Sequence, residues 1–246
     1  MAARRALVTG GGRGIGRAVA AALSGAGHSV TILGRSEPRL AETVASGAAI
    51  DYHVVDVTDA DTLASCIGRI GQVDILVNNA GAAESEAFVK SDASIFQRMM
   101  AVNFTSVVVA TRAVLPGMIE RGFGRVISIA SIAGLKGGAY VSAYAAAKHA
   151  VVGLTRSIAL EVAKHGVTVN AVCPGYVDTD IVADSVKRIV ARTGRSPEDA
   201  LNVFVKDNPQ NRLITVDEVA DAVLWLAGER ASAVNGQAIA ITGGEG

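Results

Sequence analysis

"ALVTGGGRGIG" (residues 6–16) decides the fold, because a short apolar run meets a cluster of glycines and the glycines open a helical pattern. Glycines at such a junction allow a tight turn and let main-chain amides approach a pyrophosphate, whose negative charge is favoured at a helix N-terminus. The alternative is a flexible surface turn. No Gly-Lys-Ser/Thr follows, which disfavours a phosphate loop of the nucleotide-hydrolase kind. The stretch therefore predicts the first strand, turn and helix of a dinucleotide-binding fold.

The rest of the chain repeats this alternation of short β-branched runs and longer alanine-rich amphipathic segments. The predicted strands are 6–10, 28–34, 52–57, 74–81, 124–131, 167–175 and 236–244, and the predicted helices lie near 15–26, 37–46, 60–70, 93–119, 143–165 and 216–228. Apolar strands that each precede a helix are typical of a parallel sheet covered on both faces. We predict an α/β fold of the Rossmann type, a doubly wound, mostly parallel sheet with helices on both faces, in a single domain over residues 1–246.

The balance of charged residues favours a small-molecule partner over a nucleic acid. The chain has 246 residues with 23 basic and 23 acidic side chains, so its formal charge is zero and it lacks the single-sign field of nucleic-acid binders. We therefore expect a small-molecule partner and no nucleic acid. No apolar run reaches the roughly 20 residues of a membrane span, and the first strand comes too early for a secretory signal. These patterns predict a soluble, cytoplasmic protein without membrane contact, and the Cys and His spacings predict no metal site.

Charged and polar residues follow the predicted strands, at the sheet edge where doubly wound folds bind ligands. After the second strand comes Arg35 rather than an acid, and with Arg13 of the glycine turn it favours the 2′-phosphate of NADP(H) over NAD(H). Glu37 nearby keeps NAD(H) as an alternative. Asp56 and Val57 follow the third strand and suit an adenine. "NNAG" follows the fourth, where small residues would form a floor for a dinucleotide; turn chemistry is the alternative for both.

"SAYAAAK" (residues 142–148) places Tyr144 and Lys148 four positions apart, on one face of a predicted helix. An ammonium one turn away favours a phenolate, so we expect Lys148 to lower the pKa of Tyr144 and make it a usable proton donor. Ser131 ends a strand and would orient a substrate carbonyl beside the tyrosine. Asn103 lies inside a long helix, where asparagine is intrinsically poor, and indicates a kink, a water site or contact with Lys148. Each residue alone also fits a purely structural role.

Together, "TGGGRGIG", "NNAG", Asn103, Ser131, "YAAAK" and the "PG" at 174–175 resemble, in order and spacing, the short-chain dehydrogenase/reductase family from end to end. The resemblance implies a catalytic tetrad of Asn103, Ser131, Tyr144 and Lys148, reversible hydride transfer between a nicotinamide and a ketone or secondary alcohol, and a homotetramer. It implies cofactor contacts from Tyr144, Lys148 and these residues: Gly10, Arg13, Gly14, Ile15, Gly16, Arg35, Asp56, Val57, Asn79, Ala80, Gly81, Pro174, Gly175, Val177 and Thr179.

Residues 178–212 resemble the family's substrate lid, and the segment that follows resembles 3-oxoacyl reductases and 3-hydroxybutyrate-type dehydrogenases. The first hypothesis is an NADP(H)-preferring reductase of 3-oxoacyl thioesters, carried on coenzyme A or an acyl carrier, or of related ketones. The second is an NAD-dependent dehydrogenase of a hydroxy acid, polyol or aromatic secondary alcohol. The third is a catalytically silent dinucleotide sensor, against which the complete tetrad argues.

Overall fold

A computed structural model describes residues 3–245 and shows a seven-stranded sheet in the order β3-β2-β1-β4-β5-β6-β7. All neighbouring strands run parallel. The strands are β1 (Arg5–Thr9), β2 (Ser29–Gly34), β3 (Asp51–Val54), β4 (Ile75–Asn78), β5 (Gly124–Ile129), β6 (Val167–Pro174) and β7 (Ala238–Ile241). The predicted doubly wound sheet is confirmed. Several strands are shorter than predicted, because the residues after them leave the ladder and form the loops of the site.

Helices cover both faces of the sheet. They are α1 (Gly14–Gly25), α2 (Glu37–Ala45), α3 (Ala60–Ile70), α4 (Ala93–Met100), α5 (Ser106–Arg121), α6 (Ser142–Val162), α7 (Asp180–Thr193), α8 (Pro197–Val205) and α9 (Val216–Ala227). Neighbouring residues of β1 point to opposite faces of the sheet and pack against different helices. Val8 lies in the same apolar cluster as Val223 of α9, whereas Leu7 lies in a second apolar cluster with Val114 of α5. This period of two is what a strand buried on both sides requires.

The chain begins in the middle of the sheet, runs outward to β3, and returns to place β4 on the other side of β1. The loops after β1 and β4 therefore diverge and leave a crevice at the carboxyl edge of the sheet. Ala6, Leu7 and Val8 of β1 are in register with Ile75, Leu76 and Val77 of β4. This junction positions the glycine turn beside the loop that follows β4.

The predicted helix 93–119 is interrupted. One π-helical turn, Ala101–Thr105, separates α4 from α5 and holds Asn103 at its centre. The continuous helical stretch Ala93–Arg121 is long and apolar enough to cross a membrane by length and composition alone. Its residues Ala110 and Met118 are nevertheless fully buried against the sheet, which is the placement of a core helix.

The interval 178–212 contains α7 and α8, which lie over the carboxyl edge of the sheet. Its two ends are tied together: Val177 forms a parallel bridge with Ile214, and the amide of Asp178 donates to the carbonyl of Ile214 at 2.9 Å. Asn208 is buried, and its Nδ2 donates to the carbonyl of Arg212 at 2.7 Å. The two helices thus project from a fixed base.

Candidate active site

A cavity of about 1000 Å³ opens at the carboxyl edge of the sheet, and every site residue predicted from the sequence lines it. The four residues of the predicted tetrad and the glycine turn therefore border the same space. The cavity also takes in residues that the sequence did not single out, among them Arg39, Tyr176, Asp180 and Phe204.

The glycine turn forms a cradle that only glycine allows. Gly10 and Gly14 have positive φ angles of 69° and 50°. A Cβ on Gly16 would collide with the carbonyl oxygen of Gly10 and with the side-chain amide of Asn79. Helix α1 has no side-chain cap and no acid in its first turn, so its first amides remain available to an anion. This donor set fits the pyrophosphate of a dinucleotide.

The arginines of the cavity pair with carboxylates of the chain. Arg13 pairs at 3.0 Å with Asp180, the first residue of α7, while Arg35 lies 3.9 Å from Asp56. Arg39, which sequence reasoning missed, also meets Asp180, at 3.2 Å. The two guanidinium groups hold the pKa of the Asp180 carboxyl below its usual value. The available signal was only that Arg39 lies in the first turns of α2, close in sequence to the carboxyl end of β2 where ligands bind in such folds.

The predicted adenine end is ordered by local hydrogen bonds. Asp56 accepts from the amide and hydroxyl of Thr58 at 2.9 and 2.8 Å, and these bonds lower the pKa of its carboxyl. Val57 is buried beside it. The strand end therefore presents a charged carboxylate next to an apolar surface.

"NNAG" joins the loop after β4 to the glycine turn. The side chain of Asn79 donates to the carbonyls of Thr9 and Gly10 at 2.9 and 3.2 Å. The hydroxyl of Thr9 in turn accepts from the amides of Asn79 and Ala80, each at 3.0 Å. These bonds fix the two loops that border the crevice. The absence of a side chain at Gly81 leaves room for Asn103, because a Cβ on residue 81 would lie only 2.8 Å from the Oδ1 atom of Asn103.

Ser131 and Tyr144 meet although thirteen positions separate them. Ser131 lies two residues after the end of β5, where its Oγ accepts from the amide of Ala133 at 3.1 Å and caps a short helical turn. A Cβ on Gly134 would lie 2.8 Å from the carbonyl oxygen of Lys148, so glycine allows this turn to press on α6. Ser131 consequently hydrogen-bonds the phenol of Tyr144, which lies in the first turn of that helix.

Lys148 lies one turn further along α6 and is buried, with 5% of its surface exposed. Its Nζ donates to the carbonyl of Ile129 at 2.8 Å and stands 5.7 Å from the centroid of the Tyr144 ring. Burial lowers the pKa of the Lys148 ammonium to about 8. Burial raises the pKa of the nearby Cys173 thiol in β6 to about 11, and a hydrogen bond with the main chain of Ser131 and the charge of Lys148 offset only part of that rise.

The expectation that Lys148 lowers the pKa of Tyr144 is wrong for this structure. Burial raises the pKa of the phenol above its usual value, and the hydrogen bond from Ser131 offsets only part of that effect. Tyr144 is therefore protonated at neutral pH. A protonated phenol is the state that a proton donor requires.

Asn103 joins the π-helical turn to the loop after β4. Its Nδ2 donates to the carbonyls of Ala82 and Met99 at 2.9 and 3.0 Å, and its Oδ1 accepts from the amide of Ala82 at 3.3 Å. A π-helical turn interrupts the helix at Asn103, while Lys148 is not a hydrogen-bond partner of Asn103 among the described contacts. The turn aims the amide at the loop after β4.

Comparison with known proteins agrees with this geometry. The family model for short chain dehydrogenases matches residues 4–189. Over 252 residues the chain is 38% identical to D-beta-hydroxybutyrate dehydrogenase of Rhizobium meliloti (strain 1021), covering 98% of each chain. It is 38% identical over 247 residues to acetoacetyl-CoA reductase of the same organism, again covering 98% of each.

A solved structure extends the likeness to the whole fold. The crystal structure of a point variant of actinorhodin polyketide ketoreductase with NADPH superposes with a TM-score of 0.94 at 36% identity, covering 99% of this chain and 97% of the other. The chain belongs to the short-chain dehydrogenase family, and it is an oxidoreductase that acts on CH–OH groups and the corresponding ketones.

Proposed function

We propose that the protein reduces a 3-oxoacyl thioester with NADP(H) and that Tyr144 donates the proton. The observation that carries this proposal is the contact of Ser131 with a protonated Tyr144, in a cavity that continues to the glycine turn. Acetoacetyl-CoA reductase among the relatives supports a thioester, and the NADPH in the ketoreductase crystal supports the phosphorylated cofactor.

The chain's residues would divide the work by position. The glycine turn, the loop after β4 and four residues after β6 would hold the dinucleotide, which supplies the hydride when bound. These four residues are Pro174, Gly175, Val177 and Thr179. Ser131 holds the carbonyl oxygen of the substrate, and Tyr144 delivers a proton to that oxygen. Fixing acid and acceptor in one geometry is a main source of rate.

Lys148 and Asn103 would help to return a proton to Tyr144 after it has protonated the substrate. Lys148 is anchored to the carbonyl of Ile129, so its ammonium stays 5.7 Å from the centroid of the Tyr144 ring, in the cavity that the glycine turn also lines. Asn103 lines the same cavity and holds the main chain of Ala82. We assign to these two side chains the supply of protons from solvent to Tyr144.

Positive charge near the end of β2 favours NADP(H) over NAD(H). No acid ends β2, and Arg35 is 77% exposed there and free to turn towards a 2′-phosphate. Arg13 and Arg39 lie across the same end of the cavity. An acidic residue at this position would repel the phosphate, whereas guanidinium groups bind it through charge-assisted hydrogen bonds.

An NAD-dependent dehydrogenase of a hydroxy acid is the second candidate, favoured by the D-beta-hydroxybutyrate dehydrogenase among the relatives. A polyol or an aromatic secondary alcohol belongs to the same candidate. Initial rates with NADPH and NADH across oxo-thioesters, free 3-oxo acids and other ketones separate the two. Preference for NADH, or for free acids over thioesters, would reject the first proposal, and tight dinucleotide binding without turnover would favour a sensor.

We also propose a cytoplasmic homotetramer. The proposal rests on the resemblance to the family, and exposed apolar side chains such as Leu160 of α6 and Trp225 of α9, 84% and 49% exposed, are available for contacts between copies. Sedimentation velocity tests the assembly, and a single species of monomer mass would refute it.

A further inference from the structure

Beyond Tyr144, the cavity has an aromatic wall that the proposed chemistry does not use. Tyr176 follows Gly175 at the carboxyl end of β6, and Phe204 lies on α8. Their rings meet edge to face, with centroids 4.9 Å apart and planes at 72°. Both residues line the cavity, although one belongs to the sheet edge and the other to the helices above it.

Apolar side chains complete this region. Met99 of α4, Val141 before α6, and Ile181 and Val182 of α7 line the same cavity. Ile181 is 45% exposed, so α7 presents an apolar surface that nothing in the described chain covers. Surfaces of this kind favour apolar ligand groups, because burying them removes hydrocarbon from water.

Two cationic side chains that line the cavity, Arg98 and Lys148, already have hydrogen-bond acceptors within the protein. Arg98 donates to both carboxylate oxygens of Glu84, at 3.1 and 2.8 Å. Lys148 is buried beneath Tyr144, where it donates to a main-chain carbonyl. A carboxylate close to the reacting carbonyl would therefore enter an apolar region in which the lining guanidinium is already bound to an acid, and that desolvation is unfavourable.

We infer that Tyr176 and Phe204 determine specificity by binding a large uncharged acyl group next to the reacting carbonyl, and that free short 3-oxo acids are poor substrates. This inference rests on the proposed function and names the substrate class of the same site. The thioester keeps the substrate neutral near the carbonyl, and its acyl chain packs between the aromatic pair and Ile181.

The test compares substrates that differ in acyl length and charge. We expect kcat/KM with NADPH to be at least about tenfold higher for the 3-oxo-octanoyl thioester of N-acetylcysteamine than for the acetoacetyl thioester. Free acetoacetate should be lower again. A wild type that prefers acetoacetate, or shows no dependence on acyl length, overturns the inference.

Substitutions of Tyr176 and Phe204 test whether these two rings cause the preference for long acyl chains. Phe204→Ala and Tyr176→Ala should each lower the ratio of long to short thioester by about tenfold, since each removes a ring from the wall. Tyr176→Phe should keep the ratio because it keeps the ring. Leu201→Ala is the matched control on α8, since Leu201 is exposed and does not line the cavity. An unchanged ratio in Phe204→Ala and Tyr176→Ala refutes the assignment.

A binding experiment separates failure of this inference from failure of the proposed reaction. Octanoyl and butanoyl thioesters of N-acetylcysteamine lack the ketone, so calorimetry with NADP⁺ present measures binding without turnover. Tighter binding of the octanoyl compound that disappears in Phe204→Ala supports the inference even if no ketone is reduced. Equal affinities for the two compounds in the wild type contradict it, whatever the activity.

Discussion

The ammonium of Lys148 donates a 2.8 Å hydrogen bond to the carbonyl of Ile129, the last residue of β5. This bond fixes a buried charge at the carboxyl end of a central strand, with Tyr144 above it. The bond does not repay the whole cost of burial, because the pKa of the ammonium falls from 10.5 to about 8. Lys148 is therefore a residue whose function costs stability.

Lys148→Met should raise the free energy of unfolding at pH 7 by up to about 3 kcal/mol while removing activity, because the buried charge disappears. Below pH 8 both states of the wild type are protonated and the penalty is complete. Between pH 8 and 10.5 only the unfolded state holds the proton, so wild-type stability rises with pH and the advantage of the variant shrinks. Urea titrations from pH 7 to 10 measure this. Lys187→Met, at an exposed position, should show no such trend.

Tyr144→Phe should lower kcat by about 10²- to 10⁴-fold, since it removes the proposed proton donor. The dissociation constant for NADPH should stay within about twofold, because the ring and its packing remain. Tyr52→Phe removes a phenol that bonds Glu37, away from the predicted tetrad, and serves as the control. Unchanged turnover in Tyr144→Phe would refute the assigned acid.

Asp180→Asn should strengthen NADP⁺ binding about two- to fivefold, because the carboxylate that occupies Arg13 and Arg39 loses its charge. NAD⁺ binding should change less. The half-exposed positions of all three side chains keep the effect small. Asp184→Asn is the control on the same helix, since Asp184 pairs only with Lys187 among the described residues. Equal shifts for both dinucleotides would contradict the role given to the arginines.

Gly16→Ala should destabilise the fold by about 1–3 kcal/mol and abolish dinucleotide binding, because the new methyl group meets the carbonyl of Gly10. Gly68→Ala tests the opposite case. Gly68 lies in α3 with open space around its Cα, so alanine there should stabilise by about 0.5–1 kcal/mol. Thermal unfolding and fluorescence titration with NADPH check both variants. Normal NADPH binding by Gly16→Ala would refute the claim that this turn requires glycine at position 16.

Much of the fold was predictable because strand and helix periods are local. The glycine turn and the polar strand ends also lie in contiguous sequence, so the sites around Asn79 and Ser131 followed from one rule about parallel sheets. Tyr144 followed instead from its four-residue spacing to Lys148 and from the family resemblance. The structure places all of these residues around one cavity.

The sequence could not predict what depends on distant partners or on burial. Asp180 meets Arg39 across 141 positions, and no local pattern marks that pair. The raised pKa of Tyr144 results from desolvation, which spacing along a helix does not report. The π-helical turn at Asn103 was indicated only as an irregularity, because the carbonyls that it satisfies become apparent in three dimensions.

The return of the chain from β3 to β4 also sets an order for folding. β1 gains its second neighbour only when Ile75 pairs with Ala6, so the central strand stays open on one side until that length of chain is available. Closing the loop between β1 and β4 costs conformational entropy, and such long-range pairing makes the folding of parallel sheets slow. During synthesis the cofactor crevice therefore cannot form on the ribosome from the N-terminal units alone, and gain of dinucleotide binding would report the completion of this long-range step.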